Sequence, residues 1–293
     1  MTERRVIVLG DVMLDVLVRP LDRAVAASDT PARVAFRRGG ASANLAVALA
    51  ETGHRVAFVG AGGEDVPGRL FGTELIASGV ELLVEMVAAP TGVVVVLVAD
   101  DGQRSMMTDR GANRLLSAQH VRGQLERPFD HLHVSGYTLL DGATRELARA
   151  ALRAASERGA TTSVDVCSTG PLARVTPALF LDLARGATML FANEAEALAL
   201  SETANPLDAI AALAPHFDEV VVTLGAAGAL ASAAGTITSA PALGHEVLDT
   251  TGAGDAATGT YLGARLQGRD VARALDEAMA AAARVVRGLG ARG

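Results

Sequence analysis

The sequence has few of the side chains that bind nucleic acids. It contains no tryptophan, two tyrosines and seven phenylalanines among 293 residues, so few aromatic rings are available to stack on bases. Acidic residues outnumber basic residues by 33 to 26, which gives a formal net charge of −7, and the basic residues form no cluster. These features argue against a protein that binds DNA or RNA.

Cysteine and long apolar runs are also scarce. The single cysteine, Cys167, excludes an internal disulfide and any zinc or iron–sulfur site that needs several thiolates. Half of the residues are hydrophobic, but no apolar run reaches the roughly 18 residues expected of a membrane span. The opening stretch MTERRVIVLG lacks the cleavage pattern of a signal peptide. We therefore expect a cytoplasmic protein.

Two common nucleotide-binding motifs are missing. No GxxxxGK[ST] stretch occurs, and no GxGxxG stretch follows the first predicted strand, which disfavours P-loop enzymes and dinucleotide-binding dehydrogenases. His131 and His133 share a face of a predicted strand, but no third metal ligand is apparent. Cys167 has no evident base nearby, so we interpret it as a small buried or edge residue.

Apolar runs rich in β-branched residues alternate with alanine- and leucine-rich stretches. Examples are RVIVLG before SANLAVALAETG, and HLHVSG before ATRELARAALRAASERG. This alternation predicts an α/β fold, with a mostly parallel sheet that carries helices on both faces. The length favours one large domain with a small insertion over two equal domains.

Two segments break this alternation. Residues 12–37 and 89–111 each predict two strands joined by a turn, without a crossover helix. We expect them to pair into a small antiparallel sheet that forms a lid over the substrate site, while residues 1–11, 38–88 and 112–293 form the core with the ATP site. Because a small sheet with one apolar face is marginal alone, we expect a homodimer through the lid.

The stretch DTTGAGDAATG, residues 249–259, predicts an anion-binding turn at the start of a helix. Amides of a glycine-rich turn point towards one spot, and the helix dipole adds positive potential there. Gly252, Ala253 and Gly254 offer little obstruction to a phosphate, and we expect Gly254→Val both to crowd the phosphates and to conflict with the backbone dihedrals. Asp255 could accept a proton from an attacking hydroxyl. The alternative is an ordinary helix start that Asp255 caps.

The stretch RRGGASANLAVALAETG, residues 37–53, has a second pair of glycines before a helix. Gly39 and Gly40 permit close approach of a ligand, and the amide of Asn44 could donate to and accept from sugar hydroxyls. Alternatively, the glycines form a tight turn and Asn44 is an ordinary residue of the first helical turn.

Together these stretches resemble the two signatures of the ribokinase-like (PfkB) family of carbohydrate and nucleoside kinases. The resemblance implies that Asp255 is the catalytic base, that the amides of residues 252–255 form the anion hole, and that Gly39, Gly40 and Asn44 contact the sugar. In VLGDVMLDVLV, it also implies that Asp15 grips the substrate, whereas we interpret Asp11 as a turn residue.

The resemblance implies further nucleotide contacts. In ANEAEALALS, Asn193 and Glu196 have the spacing of a capping box, and the family uses this motif to position phosphates and the Mg²⁺ shell. The strand and turn of VVVTLGAAGAL contribute to the ATP site. The residues implied there are Thr223, Gly225 and Gly228. Asp249 and Thr251, together with the C-terminal stretch AAAARVVRGLGA, are implied to hold K⁺ in many members, and DRGANRLL, residues 109–116, resembles a turn on the return from the lid.

One departure leaves the acceptor open. Many sugar kinases of the family carry D-x-N-x-R after the central strand, whereas this chain has DVCSTG and keeps only Asp165. We expect an ATP- and Mg²⁺-dependent kinase that phosphorylates a primary hydroxyl of a small sugar. A nucleoside kinase, such as a pseudouridine kinase, and a catalytically silent sugar-binding module are the alternatives.

Overall fold

The computed structural model describes residues 3–23, 27–98, 104–244 and 252–287. Within these ranges, the strands are β1 (Arg5–Leu9), β2 (Met13–Pro20), β3 (Ala32–Gly39), β4 (Arg55–Gly63), β5 (Glu81–Val87), β6 (Gly92–Val98), β7 (Arg104–Asp109), β8 (His131–Ser135), β9 (Thr161–Asp165), β10 (Met189–Asn193), β11 (Glu219–Thr223), β12 (Ala229–Ala233) and β13 (Thr236–Ala240). The helices are α1 (Ala41–Glu51), α2 (Val66–Ala77), α3 (Ala118–Leu125), α4 (Gly136–Leu140), α5 (Arg145–Glu157), α6 (Thr169–Leu172), α7 (Pro177–Leu183), α8 (Glu194–Ser201), α9 (Pro206–Leu213), α10 (Ala253–Leu266) and α11 (Val271–Val286).

Nine strands form a large sheet in the order β13-β12-β11-β10-β9-β8-β1-β4-β5. All neighbours from β11 to β5 are parallel, and β12 and β13 add an antiparallel hairpin at one edge. The chain adds β4 and β5 on one side of β1 and later adds β8 to β11 on the other side. The strand order therefore reverses between β1 and β8, and such a reversal opens a crevice for ligands.

Helices cover both faces of the large sheet, because successive strand residues point to opposite sides. Ile7 and Leu9 belong to one buried cluster, with side chains from α3, α5, α8 and α9. Val6 and Val8 belong to the other, with side chains from α1, α2, α10 and α11. This arrangement confirms the predicted α/β fold with helices on both faces.

Four further strands form a separate small sheet in the order β3-β2-β6-β7. The β2/β3 and β6/β7 hairpins are antiparallel, as predicted, and come from the two segments that interrupt the alternation. A parallel pairing of β2 with β6 joins the hairpins, which the sequence did not indicate. The exact division into core and lid stays a prediction. In the part of the chain that is described, no helix has both the length and the apolar character to span a bilayer.

Candidate active site

Polar side chains follow the carboxyl ends of neighbouring strands in the large sheet. Asp11 follows β1, while Ser135, Asp165, Asn193 and Thr223 are the last residues of β8, β9, β10 and β11. Because neighbouring strands lie about 4.8 Å apart, this row extends roughly 19 Å along the edge of the sheet. One end of the row lies at the crevice where the strand order reverses, which is the expected position of a ligand site.

Close packing of α10 on α1 places Asp255 at this crevice. Asp255, Gly259 and Gly263 recur every four residues, so they share one face of α10. A Cβ atom on Gly259 would lie 2.6 Å from the carbonyl oxygen of Leu45, and one on Gly263 would lie 2.2 Å from Oγ1 of Thr52. The two glycines therefore permit the helix approach that brings Asp255 against α1.

A buried ion pair fixes the opposite part of α10. Glu219 at the start of β11 accepts hydrogen bonds from the guanidinium of Arg265, the closest at 2.9 Å, and from the hydroxyl of Tyr261. Breaking one side of such a pair leaves a buried charge without a partner, so the contact specifies where α10 sits on the sheet.

The side chains of Asn44 and Asp255 meet directly. Nδ2 of Asn44 donates to Oδ2 of Asp255 at 2.9 Å, and Oδ1 of Asn44 accepts from Nη2 of Arg38 at 3.1 Å. The amide therefore orients the Asp255 carboxylate, a contact that the sequence did not predict. It retains one N–H and one lone pair for a ligand.

Both α1 and α10 begin after a glycine in a left-handed or related conformation. Gly40 has φ 97° and Gly252 has φ 78°, and no side chain caps either helix. By contrast, Asp65 caps α2, Ser117 caps α3 and Asp270 caps α11. The first-turn amides of α1 and α10 are therefore not occupied by a capping side chain.

The expected conflict of Gly254→Val with the backbone dihedrals is wrong. Gly254 is helical and has no positive φ, whereas Gly252 occupies the left-handed conformation. A Cβ atom on Gly254 would meet no described atom within 4 Å, so the space beside it is open. The requirement for glycine's conformational freedom therefore lies at Gly252.

Asp255 has an acidity suited to proton transfer near neutral pH. Removal of the carboxyl group from bulk water raises its pKa to about 7, and the nearby charges of Asp165, Asp11 and Asp15 act in the same direction. The hydrogen bond from Asn44 partly opposes this rise in pKa.

Asp15 and Asp11 lie on the other side of the crevice. Burial, followed by repulsion from Asp11, raises the pKa of Asp15 to about 6. A Cβ atom on Gly39 would lie 1.9 Å from Oδ1 of Asp15, and one on Gly40 would lie 2.6 Å from the carbonyl oxygen of Asp11. The glycine pair therefore makes room for the strand ends that carry these carboxylates, while the predicted approach of a ligand to these glycines stays a prediction.

The interpretation of Asp11 as a turn residue missed its position in the site. Its side chain is buried, its Oδ1 has no hydrogen-bond partner among the described residues, and burial raises its pKa. The nearest cation is Arg110, whose Nη1 lies 3.9 Å from Oδ2 of Asp11. Asn113 fixes the turn by accepting from the amide of Val12 at 2.7 Å and donating to its carbonyl oxygen at 2.8 Å. Arg110 and Asn113 both belong to the DRGANRLL stretch, which resembles a turn on the return from the lid.

Asp165 stays ionised although the usual Asn and Arg are missing from its motif. Burial opposes its ionisation, but contacts with His133, Cys167 and the amide of Gly136 outweigh burial and lower its pKa. Sγ of Cys167 donates to Oδ1 of Asp165 at 2.9 Å, and the amide of Gly136 donates to the same oxygen at 3.0 Å. Burial raises the pKa of the Cys167 thiol, so Cys167 acts as a hydrogen-bond donor.

The histidines of β8 have structural contacts. His131 shares hydrogen bonds of 2.8 Å with Thr161 and with Ser163, and burial lowers its pKa to about 3. Nδ1 of His133 lies 2.9 Å from Oγ of Ser163, and its Nε2 lies 3.7 Å from Oδ1 of Asp165. They join β8 to β9 beside the site.

Asn193 and Glu196 form the capping box that their spacing allowed. Oδ1 of Asn193 accepts from the amide of Glu196 at 2.9 Å, and the Glu196 carboxylate accepts from the amide and from Nδ2 of Asn193 at 2.9 and 2.7 Å. Burial, aided by the charge of Asp165, raises the pKa of Glu196 to about 7. A buried carboxylate thus lies at the edge of the site, so the cap does not exclude a role towards phosphate-bound Mg²⁺.

The predicted nucleotide turn lies one strand further along the edge. Thr223 pairs with Asn193 in register, and the following turn places Gly225 at φ 57° and Gly228 at φ 99°. A Cβ atom on Gly228 would lie 2.1 Å from the carbonyl oxygen of Ala240, which explains this glycine by local packing. Asp249 and Thr251 lie outside the described residues.

The chain is similar to known sugar and nucleoside kinases. The chain is 32% identical over 288 residues to the ATP-dependent ribose-1-phosphate kinase of Halopiger xanaduensis, covering 95% of this chain and 90% of that protein. The crystal structure of adenosine kinase from Sinorhizobium meliloti has a TM-score of 0.89 at 26% identity, covering 100% of this chain and 96% of that one. Ribokinase from Cryptococcus neoformans in complex with ADP has a TM-score of 0.78 at 26% identity, covering 98% of this chain and 95% of that one.

A family model described as pfkB family carbohydrate kinase matches residues 3–293. This match extends over nearly the whole chain and includes both glycine-rich signatures and every strand and helix described above. The resemblance seen in the sequence is thereby confirmed: the chain belongs to the pfkB family of carbohydrate kinases, which are phosphotransferases that act on hydroxyl groups.

Proposed function

We propose that the protein transfers the γ-phosphate of ATP to a primary hydroxyl of a small sugar, with Asp255 as the general base. The observation that carries this proposal is the Asp255 carboxylate, which Asn44 orients at 2.9 Å and whose pKa lies at about 7. A base with a pKa near the working pH combines a useful deprotonated fraction with a useful affinity for the proton. The acceptor hydroxyl is deprotonated by Asp255 as its oxygen attacks the γ-phosphate in line.

The acceptor occupies the crevice between the small sheet and the strand ends. We assign its hydroxyls to Asp15, to the backbone at Gly39 and Gly40, and to the remaining N–H of Asn44. Carboxylates suit this task because each can accept hydrogen bonds from two hydroxyls. Since Asp15 lies on the small sheet, that sheet acts as a lid that excludes water when the acceptor is bound.

The nucleotide occupies the other end of the row of strand termini. We assign the transferring phosphoryl group to the amides of residues 252–255, where the left-handed Gly252 and the open space beside Gly254 favour an anion. The turn after β11 supports the rest of ATP. The residues that we assign there are Thr223, Gly225 and Gly228.

The residues present fit a magnesium ion that is held chiefly by the phosphates. Mg²⁺ prefers oxygen ligands and usually keeps several waters, and among the described residues no cluster of three acidic, histidine or cysteine side chains forms a metal cage. Asn193 and Glu196 supply amide and carboxylate oxygens beside Asp165, and Mg²⁺ neutralises phosphate charge when bound. We also propose that Asp249 and Thr251 bind K⁺.

Two alternatives lead to different results in one assay. Adenosine kinase shares this fold at 26% identity, so a nucleoside, including pseudouridine, is the second acceptor class. ADP release should be measured with ribose, fructose, 2-keto-3-deoxygluconate, adenosine, cytidine and pseudouridine. ADP release with the nucleosides but not with the sugars identifies a nucleoside kinase. Binding of these ligands without ADP release identifies a catalytically silent module. The use of ATP supports a cytoplasmic location.

We also propose a homodimer through the small sheet. Register places Phe36, Val16, Val95 and Met107 in one row across its four strands, so they share a face. This face is opposite to the one that carries Asp15, and Phe36 and Met107 are 58% and 53% exposed. A contiguous exposed apolar face on a marginal sheet favours contact with a second copy.

Asp255→Asn should lower kcat by about 10² to 10⁴ with the best acceptor, because the amide keeps the shape of the carboxylate but accepts no proton. ATP affinity should change little, since the amides of the helix start remain. Stopped assays of ADP release and calorimetric titration with ATP measure the two effects. The control is Asp276→Asn on α11, an exposed carboxylate. A near-normal kcat in Asp255→Asn would reduce Asp255 to a residue that caps or positions the helix.

The same substitution should stabilise the fold, and more so at higher pH. A raised pKa means that the folded state holds the proton more tightly, so its contribution to stability is lost as pH rises from the ordinary carboxyl value of 3.8 to about 7. The amide side chain of the variant does not titrate. The increase in Tm of Asp255→Asn over the parent should therefore be larger at pH 8 than at pH 5, as measured by calorimetry, with Asp276→Asn as the control. An equal increase at both pH values, or a decrease at pH 8, would show that Asp255 is not destabilised by its surroundings.

Phe36→Arg should convert a dimer into a monomer, because a guanidinium group on the apolar face would lose its hydration on association. Met106→Arg is the matched control, since Met106 is exposed but pairs with Val96 on the opposite face. Light scattering at micromolar concentration should give a monomer for Phe36→Arg and a dimer for the control. A monomeric parent protein would refute the dimer.

A further inference from the structure

A cavity rich in arginine adjoins the acceptor site. It has a volume of about 520 Å³, within the usual range for small-ligand sites, and belongs to the turns that follow β7, β8 and β9. The charged residues that line it are Arg110, Arg114, Arg145, Arg174, Asp109 and Asp141. This concentration of positive charge is notable in a chain whose net charge is −7.

The two carboxylates are already engaged by the protein. Asp141 lies 3.2 Å from Nε of Arg110 and 3.5 Å from Nε of Arg114, and it accepts from the amide of Ala143 at 3.0 Å. Asp109 accepts from the amide of Gly111 at 2.9 Å. Of the four guanidinium groups, those of Arg110 and Arg114 lie beside Asp141, and that of Arg110 also lies 3.9 Å from Asp11. The other two form no ion pair with any carboxylate in the described ranges.

Those two charges belong to Arg145 and Arg174. The Arg145 guanidinium donates to the neutral carbonyl oxygens of Leu139 and Leu140 at 3.3 and 3.0 Å, which fixes its position and leaves its charge uncompensated. The Arg174 guanidinium is exposed and forms no hydrogen bond or ion pair with any residue in the described ranges. One group is thus held in place while the other is available to move onto a ligand.

Arg110 connects this cavity with the carboxylates of the crevice. The guanidinium of Arg110 lies 5.4 Å from the ring centroid of Tyr137, and both side chains line the cavity. The same guanidinium reaches to 3.9 Å from Asp11, beside Asp165 and Asp255. Arg110 therefore lies between the cavity and the carboxylates of the crevice.

We propose that the preferred acceptor is a sugar monophosphate, whose phosphate binds in the arginine cavity while a remote hydroxyl faces Asp255. This inference rests on the proposed kinase function and adds the chemical class of its acceptor. A phosphate dianion matches two uncompensated guanidinium groups in charge, and guanidinium groups bind phosphate oxygens in a bidentate manner. A sugar carboxylate carries only one charge. The DVCSTG stretch lacks the Arg that many sugar kinases of the family carry, and the arginines of the cavity could bind an acidic group of the substrate instead.

The test compares kcat/KM for matched acceptors, ribose against ribose 1-phosphate and fructose against fructose 6-phosphate, with 2-keto-3-deoxygluconate as the carboxylate. We expect the phosphorylated sugar of a pair to be preferred. Arg174→Gln should reduce the ratio of kcat/KM between phosphorylated and free sugar about tenfold or more, mainly through KM. Because Arg174 forms no hydrogen bond or ion pair with the described residues, its replacement breaks none of those contacts. Arg153→Gln, an exposed arginine of α5 outside the cavity, should leave the ratio unchanged.

The outcomes separate this inference from the kinase proposal. Preference for free sugars or nucleosides, or an unchanged ratio in Arg174→Gln, would overturn the inference and leave the kinase in place. If 2-keto-3-deoxygluconate is the preferred acceptor and Arg174→Gln lowers its kcat/KM, the ligand group of the cavity is a carboxylate, and the assignment of a phosphate is overturned. Calorimetry with ribose 1-phosphate provides a readout without turnover: binding that is weakened by Arg174→Gln, without ADP release from any acceptor, would support the cavity and overturn the kinase.

Discussion

Four carboxylates are buried around the crevice where the strand order of the large sheet reverses, and their loss of hydration, increased by their mutual repulsion, governs the rest of the site. Asp165 is held ionised by its contacts with Gly136, Cys167 and His133, so its charge acts on its neighbours. Burial, and after it the charge of Asp165, raises the pKa of Asp255 and of Asp11. Burial and the charge of Asp11 raise the pKa of Asp15. Protons, hydroxyl donors and cations all stabilise such a group of carboxylates. An acceptor sugar provides hydroxyl donors, and a magnesium-bound nucleotide provides a cation.

Close helix packing at glycines holds these carboxylates together. Gly259 and Gly263 bring α10 within contact distance of α1, and the Glu219–Arg265 pair fixes α10 to the sheet. Asp255 is therefore positioned by two independent contacts before any ligand arrives. Preorganisation of this kind favours electrostatic catalysis, because the donors and acceptors need not reorganise during the reaction.

The sequence predicted the fold class, the two hairpins and the helices that begin after the glycine-rich turns, because these depend on local periodicity and on turn residues. It missed contacts that depend on strand order. Asp11 looked like a turn residue until β8 and β9 were placed beside β1, and the contact between Asn44 and Asp255 joins residues 211 positions apart. The arginine cavity was missed for the same reason, since its residues come from three separate turns.

The titration of the Asp255 carboxyl group tests the central claim most directly. Infrared difference spectra of the parent protein between pH 3 and pH 9, with those of Asp255→Asn subtracted, isolate the protonated carboxyl band of this residue. The account predicts that the band disappears with a midpoint at about pH 7. A midpoint near the ordinary carboxyl value of 3.8 would contradict it, because Asp255 would then be a solvated carboxylate without the affinity for a proton that the proposed base requires.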